Sequence, residues 1–594
     1  MRAVSRADGV VAVLLSLVLS ACGSEVGPSG SIPQSGSSDT TAPAAVITAP
    51  TGSGSYSTTS TTVALSGTAS DNVGVVSVSW INQGNGTSGS ASGTTSWSIP
   101  SIVLALGVNQ IIVTARDAAG NAGGATLTAT SNPGAPISLS GGVDSSLINR
   151  SSGTNTVYIY NGTITPTGTT PPFATAPVTQ DNGACTFSYQ FVSLPAGSYT
   201  VAFSSDGATF RGTASVTIPA TFTHDFPPNR RLQVGPTRTG PNTFTVPSAA
   251  IAAALAGDVI EIDVGSYVDD NAVISTNKLT LRGVGGARPH LSSTVPTSNG
   301  KGIWVNDAQN TTVENIEFSG ATAAPGDDNG AGIRNEGDGF TVCNGYFHDN
   351  QNGILGGNGT VLIEYSLFDN NGFGDGFTHN IYIDGGGTVF TLRYSSSRRA
   401  NVGHTVKSRA KENHILYNRI TDENGNTSYE IDLPNGGLSF IIGNVIEQGP
   451  NPGNTTIITY GEEGVLADGR TNAINVVNNT IVNDHTSGAF VALFGGPTAR
   501  LVNNLFAGPG SVPAASGSVT LTTNLTKNPT SSAGLVNAAG FDYHLTAGSP
   551  ARDTGTDPGT ANSVSLTPTS QYVDPANRQD RPINSTIDIG AYEF

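Results

Sequence analysis

The 594-residue sequence predicts an all-β protein built around a parallel β-helix, and three observations carry that prediction. The first is an internal repeat in which one apolar residue is followed by another five positions later. Its copies are Val313/Phe318, Val342/Phe347, Ile363/Phe368, Leu392/Ser397, Ile415/Ile420, Ile441/Ile446, Val476/Ile481 and Leu501/Phe506, and only Ser397 breaks the pattern. Copies start 21 to 35 residues apart, the spacing of a stacked solenoid whose units bury their apolar faces against their neighbours. The second is asparagine inside the same window, as Asn315, Asn344, Asn478 and Asn503 at the third place and Asn418, Asn444, Asn479 and Asn504 at the fourth. Asn favours turns, and turns at such short intervals leave room for strands and not for paired helices. The third is composition: 75 Gly with only 12% charged residues, a turn-rich chain too regular to be disordered.

Taken from the start, Arg2 and Arg6 precede an apolar run from Val10 to Leu19, too short for a permanent membrane span. It ends in Leu19-Ser20-Ala21-Cys22-Gly23, which resembles the lipobox of bacterial lipoproteins. The resemblance implies a signal peptide over 1–22, lipidation of Cys22 and, with Ser24 after Gly23, an outer-membrane or cell-surface address. A polar Gly/Ser/Pro stretch over 23–43 reads as a flexible tether. The expected location is thus the cell envelope, with a lipid anchor as the contact with membrane. A net charge of −17 excludes nucleic acid as a partner, since phosphate binding needs a basic surface. It leaves room for a local basic cleft that binds an acidic or neutral polysaccharide, and a monomer is expected.

Residues 44–132 alternate with period two between frequent turn residues, as an antiparallel sandwich does. The runs Gly67-Thr68-Ala69-Ser70-Asp71-Asn72-Val73-Gly74-Val75, leading to Trp80, and Val113-Thr114-Ala115-Arg116-Asp117-Ala118-Ala119-Gly120-Asn121 resemble bacterial immunoglobulin-like domains. That implies a spacer. Residues 134–228 read as a second β-sandwich, from the strand-and-turn Val157-Tyr158-Ile159-Tyr160-Asn161-Gly162 and the turn-and-strand Leu194-Pro195-Ala196-Gly197-Ser198-Tyr199-Thr200-Val201. Cys185 and Cys343 fall in different predicted domains, so no disulfide between them is expected, and Cys343 is expected as a buried core or turn thiol.

The solenoid is expected over 231–594. Pro247 to Ala256 reads as a small helix with proline at its start, placed to cover the first rung. Strands follow at Gly257-Asp258-Val259-Ile260-Glu261-Ile262 and Leu279-Thr280-Leu281-Arg282-Gly283. This layout, with a closing segment from Phe541-Asp542-Tyr543-His544-Leu545 to Asp588-Ile589-Gly590-Ala591-Tyr592-Glu593-Phe594, resembles the pectate-lyase-like right-handed β-helices. The implied fold is a right-handed, single-stranded parallel β-helix preceded by two β-sandwiches. Fold alone leaves function open.

Chemistry concentrates in three consecutive rungs. Ile381-Tyr382-Ile383-Asp384, Val406-Lys407-Ser408-Arg409 and Tyr429-Glu430-Ile431-Asp432 align so that first and third positions point inward. The alignment gives two outward columns on rungs about 4.8 Å apart, Tyr382–Lys407–Glu430 and Asp384–Arg409–Asp432, with His379 and His404 stacked two places upstream. Opposite charges on adjacent rungs also make plain surface ladders, which contribute little stability. The mixture of Tyr, Lys, His, Arg and carboxylates on one face is what acid–base chemistry and sugar recognition use.

Val406-Lys407-Ser408, then Asn413, Ile415, Asn418, Gly425 and Asn435-Gly436, resembles the catalytic strip of the β-helical lyases acting on alginate and dermatan-type chains. In that family the Lys is the base on a uronate and an Arg of the next rung assists. Lys407 matches the Lys; the Arg position falls on Asp432, and the family's acidic calcium ligands correspond to Ala400 and Val402, so no cofactor is assigned and calcium stays possible with the family's ligands unmatched. The expectation is a polysaccharide lyase with Lys407 as base, Arg409 on the carboxylate and Tyr382 or His404 as proton donor. His379, Asp384, Glu430, Asp432 and Asn435 are the expected sugar contacts. The alternatives are a glycoside hydrolase using Glu430 and Asp432, about 6.6 Å apart by strand rise, with Asp384 as a third acid, and a non-catalytic adhesin. No zinc-type cluster, nucleotide loop or catalytic-serine motif is expected.

Overall fold

A computed structural model describes residues 39–594 apart from 106, 132–136, 151–153, 182–184, 196, 219–221, 386, 513, 516 and 583–584. The signal peptide, Cys22 and all but the end of the tether lie outside the described residues. The chain divides into two compact units, 1–134 and 135–594.

In the first unit a three-stranded sheet (Ala44–Ala49, Thr62–Ser70, Ser96–Val103) faces a five-stranded one that includes Val75–Asn82, Gly107–Asp117 and Ala122–Ser131. Alternation explains the pairing. Val63, Leu65, Ile111, Val113 and Leu127 are buried and their chain neighbours face outward. Trp97 fills this core, while Trp80 is only partly buried.

The second unit holds the other sandwich and the solenoid. Three all-parallel sheets of 13, 11 and 10 strands run through it, forming the right-handed parallel β-helix. The repeat is a corner between two of these sheets. Its first residues stack from Val313 through Val342, Ile363, Leu392, Ile415, Ile441 and Val476 to Leu501 in the 13-stranded sheet. Its last stack from Phe318 to Phe506 in the 11-stranded sheet, with the rings of Phe318, Phe347 and Phe368 lying face to face about 5 Å apart. Ser397 interrupts the second column because its hydroxyl donates to the Thr405 carbonyl and accepts from the Asn380 amide, closing a polar gap that an apolar side chain would leave open.

The two asparagine places do different work. At the third place the chain turns with positive φ, at Asn315, Asn344, Asn478 and Asn503 and also at Tyr365, Tyr394 and Tyr417, so Asn there lowers the cost of a left-handed residue. At the fourth place the amides form a buried ladder in which Asn418, Asn444, Asn479 and Asn504 each donate to the next rung at 2.9–3.0 Å. Each Oδ1 also accepts a backbone N–H, so the ladder satisfies the corner's polar groups without water. The cap helix spans Pro247–Ala253, shorter than predicted, and buries Pro247, Ala250 and Ile251.

One expectation fails here. Cys185 and Cys343 form a disulfide, closing a loop of 158 residues. Cys343 is neither a core nor a turn thiol. It pairs in register with Glu314 and Glu364 on the outer face of the 13-stranded sheet, and the second sandwich docks over it. That docking is polar. Arg150 bridges Glu314 at 3.0 Å and Glu364 at 2.5 Å, Arg282 joins Asp144 to Glu314, and Gln180 donates to Glu364. Burial alone would raise the Glu364 carboxyl; Arg393 and Arg150 outweigh it and hold the group below its usual range.

Candidate functional site

The 10-stranded sheet carries the predicted strip on Ile381–Ile383, Val406–Ser408 and Ile431–Leu433. Ile381, Val406 and Ile431 face inward and are fully buried, which turns the residue after each outward. The outward column is Tyr382, Lys407, Asp432 and then Thr459. The first two rungs pair as the sequence predicted, whereas the third is displaced by two residues. Periodicity alone tolerates that error, because a shift of two keeps a strand residue such as Asp432 on its predicted face.

The displacement corrects two assignments. Glu430 is fully buried, not outward: it falls beside Thr405, whose hydroxyl donates to its carboxylate at 3.1 Å, and burial with the nearby Asp422 and Glu447 pushes its carboxyl well above the usual range. The ladder Asp384–Arg409–Asp432 does not form either, for Asp432 sits against Lys407. Asp384 instead lines a shallow depression with Tyr382, Arg334 and Phe377.

Around Lys407 the groups converge. Its Nζ lies 3.1 Å from Asp432 Oδ2 and 3.5 Å from Glu463 Oε1, and 5.6 Å from the centre of the Tyr382 ring. Arg409 donates from Nε to the Tyr382 hydroxyl at 2.8 Å and from its two terminal nitrogens to Glu463, at 2.7 and 3.0 Å. Burial works against the Arg409 charge, but Glu463 and Tyr382 more than offset it, so the group is held above its ordinary value. Asn435 accepts from Arg409 and donates to the Gly464 carbonyl at 3.0 Å, positioning the arginine and tying down the loop that carries Glu463. Arg470 fastens the same loop through the carbonyls of Arg409, Asn435 and Gly436.

The histidines stack as predicted, with ring centres 4.7 Å apart, but beneath the surface: His379 is 2% exposed and His404 7%. His404 donates its backbone N–H to His379 Nδ1, and Tyr429 donates its own to His404 Nδ1. Each ring therefore keeps its proton on Nε2. Burial, reinforced by the Lys407 and Arg409 charges, drives His404 down to about 3 and His379 well below its normal value, so both are neutral. His404 Nε2 faces Asp432 Oδ2 at 3.4 Å. Burial lifts Asp432 to about 6 against the pull of Lys407.

Glu463 and its neighbour Glu462, which accepts from the Tyr429 hydroxyl at 3.0 Å, were not expected here. They arrive on the loop Gly461-Glu462-Glu463-Gly464, one rung after Asp432, and both glycines have positive φ. The only sequence signal was an acidic pair between glycines. Strand periodicity is blind to it.

No family model matches the chain, and no curated protein is detectably similar to it. Among solved structures it is similar to the pectate lyase Pel9A, at 15% identity and a TM-score of 0.39, over 62% of this chain and 97% of that one. A family 28 exopolygalacturonase of Yersinia enterocolitica matches at 10% identity and a TM-score of 0.14, over 79% of this chain and 96% of that one.

Proposed function

We propose that this protein is a cell-envelope polysaccharide lyase whose site is the strip around Lys407 and Arg409, acting on a uronate-containing chain by β-elimination. One observation carries the reading: Lys407 and Arg409 already hold a carboxylate between them, that of Glu463, and the same cradle fits the carboxylate of a uronate. A substrate carboxylate displaces Glu463 and places the adjacent carbon between Lys407 and Tyr382. Arg409 stabilises the charge that develops on the carboxylate as that carbon loses its proton. Lys407, as the free amine, takes the proton. The Tyr382 hydroxyl, beside the Arg409 guanidinium, gives its own to the departing glycosidic oxygen. Asp432, 3.1 Å from the Lys407 amine, is the group placed to relieve it of its own proton beforehand. His404, with only Nε2–H free and that directed at Asp432, is a positioning residue.

Incubating the full chain with alginate, pectate and glycosaminoglycans tests this. The lyase gives new ultraviolet-absorbing unsaturated ends. Reducing ends without absorbance would make it a hydrolase, and glycan binding without either product would make it an adhesin. The Glu430/Asp432 pair needed for the hydrolase is not present on the surface, since Glu430 is buried.

Two results follow from the geometry. Glu463→Gln weakens the internal competitor, so KM for the polymer falls several-fold with kcat little changed; an unchanged or higher KM would show that Glu463 helps to bind. Turnover should rise with pH through about 6, because below that value Asp432 carries a proton and cannot take another from Lys407. The limb cannot belong to His404, which stays neutral over that range. Its persistence in Asp432→Asn would remove Asp432 from the mechanism.

The lipid anchor at Cys22 is part of the same proposal. The Cys185–Cys343 disulfide supports export, since such bonds persist in oxidising compartments. Cys22→Ser should move the protein from the membrane to the soluble fraction of expressing cells, and retention in the membrane would refute the anchor.

A further inference from the structure

A second constellation lies on the 11-stranded sheet, away from the strip, on the consecutive strands His290–Ser292, Glu317–Ser319 and Tyr346–His348. Register stacks His290 on Glu317 and sets His348 one rung further, two places along its strand from that column. One carboxylate oxygen, Glu317 Oε1, stands 3.1 Å from His348 Nε2 and 3.7 Å from His290 Nε2. All three atoms lie within 4.8 Å of one another.

Those separations have a chemical meaning. Nitrogen and oxygen ligands about 2.0–2.1 Å from a tetrahedral zinc ion are about 3.3–3.4 Å from each other. The two contacts to Glu317 Oε1 straddle that value, and the third pair lies within 4.8 Å.

Proton placement points the same way. His348 faces a carboxylate with each ring nitrogen, Asp349 Oδ2 at 2.7 Å from Nδ1 and Glu317 Oε1 at 3.1 Å from Nε2. A neutral imidazole has one N–H, so one contact sets a lone pair against an anion. A cation shared by His290, Glu317 and His348 would relieve that contact. Asp349 then serves as the carboxylate that orients a metal-binding histidine and leaves Nε2 free as the ligand atom. The Ser319 hydroxyl now meets His290 Nε2 at 2.7 Å, and rotation about its Cα–Cβ bond releases that lone pair. The side chains of His290, Glu317 and His348 are 35%, 26% and 18% exposed, which leaves a solvent path and an open fourth position.

We propose that His290, Glu317 and His348 bind one divalent transition-metal ion of the zinc class, clamping three successive rungs. Two imidazoles with one carboxylate select zinc over calcium, which takes oxygen ligands in greater number. The acidic group Asp39, Asp71 and Asp117 of the first unit has no nitrogen donor, so it does not compete for zinc on these terms.

The test is isothermal titration of zinc chloride into the full chain after chelator treatment and dialysis, repeated in excess calcium. One equivalent should bind, with calcium leaving it in place. The double variant His290→Ala/His348→Ala should lose that equivalent while its circular dichroism spectrum and melting curve confirm the fold. Glu317→Gln should weaken binding, and Asp349→Asn should weaken it by about 10- to 100-fold. Absence of a zinc-binding event in the wild-type chain would overturn the proposal, and so would zinc uptake unchanged in the folded double variant or displaced by calcium.

Discussion

Lys407→Ala should lower turnover of the uronate polymer by about 100- to 10,000-fold, the usual contribution of a positioned proton-transfer group. The loss should fall on kcat, because Arg409 still grips the carboxylate with its planar fork. Arg409→Ala should raise KM strongly and lower kcat as well, since it removes the bidentate half of the cradle, the stabiliser of the developing charge and the partner of the Tyr382 hydroxyl. Folding has to be controlled, because Lys407 is the ion-pair partner of Asp432, whose side chain is 3% exposed. Assaying stability below pH 6 as well as above it separates the effects: Asp432 is neutral on the acid side, so the variant's stability deficit should shrink there. Glu430→Gln supplies the contrast. Glu430 is enclosed and its raised pKa favours the neutral acid, so the amide is close to isosteric and activity should persist. If Glu430→Gln is the lethal change and Lys407→Ala is harmless, the lyase assignment falls.

Arg150→Ala should destabilise the second unit by about 3 kcal/mol, the lower end of the cost of breaking a buried ion pair. Glu364 and Glu314 have side-chain exposures of 0% and 1% and share this guanidinium. The cost stays at the lower end because Glu364 retains Arg393 at 2.6 Å and Glu314 retains Arg282 at 2.8 Å. Arg150→Lys should recover only part, since a single ammonium cannot present two directed N–H groups to two carboxylates. The measurement is the urea midpoint with the disulfide intact; a shift below about 1 kcal/mol would place Arg150 among ordinary surface pairs. The sign with pH follows from Glu364. Its folded value is depressed, so its contribution is present above the unfolded carboxylate value and disappears as pH falls through the folded one.

The five-residue template identified the corner between two sheets, and even its exception, Ser397, marked a real polar contact. The two asparagine places were both visible, although their separate roles, turning the chain and laddering the amides, needed coordinates. The stacking of Tyr382 on Lys407 and of His379 on His404 was correct, at an offset of 25 residues in each case. The next rung keeps that offset, from Lys407 to Asp432, whereas the sequence alignment placed Glu430 there at 23, so Glu430 was assigned to the surface and Asp432 to the wrong neighbour. The Cys185–Cys343 disulfide was missed for a related reason: spacing along the chain carries no information on which sheet face a separate sandwich will cover.

Sequence pattern alone specifies the parallel β-helix and the common outward column of Tyr382 and Lys407. Side-chain alternation and apolar repetition are local, and they survive shifts of two residues. Tertiary structure alone decided which charges meet. The loop at Glu462 and Glu463 brings Glu463 over Lys407 and Arg409, and docking of the second sandwich buries Glu364. Electrostatic contacts act over a few ångströms, so a two-residue difference in register makes Asp432, and not Glu430, the partner of Lys407.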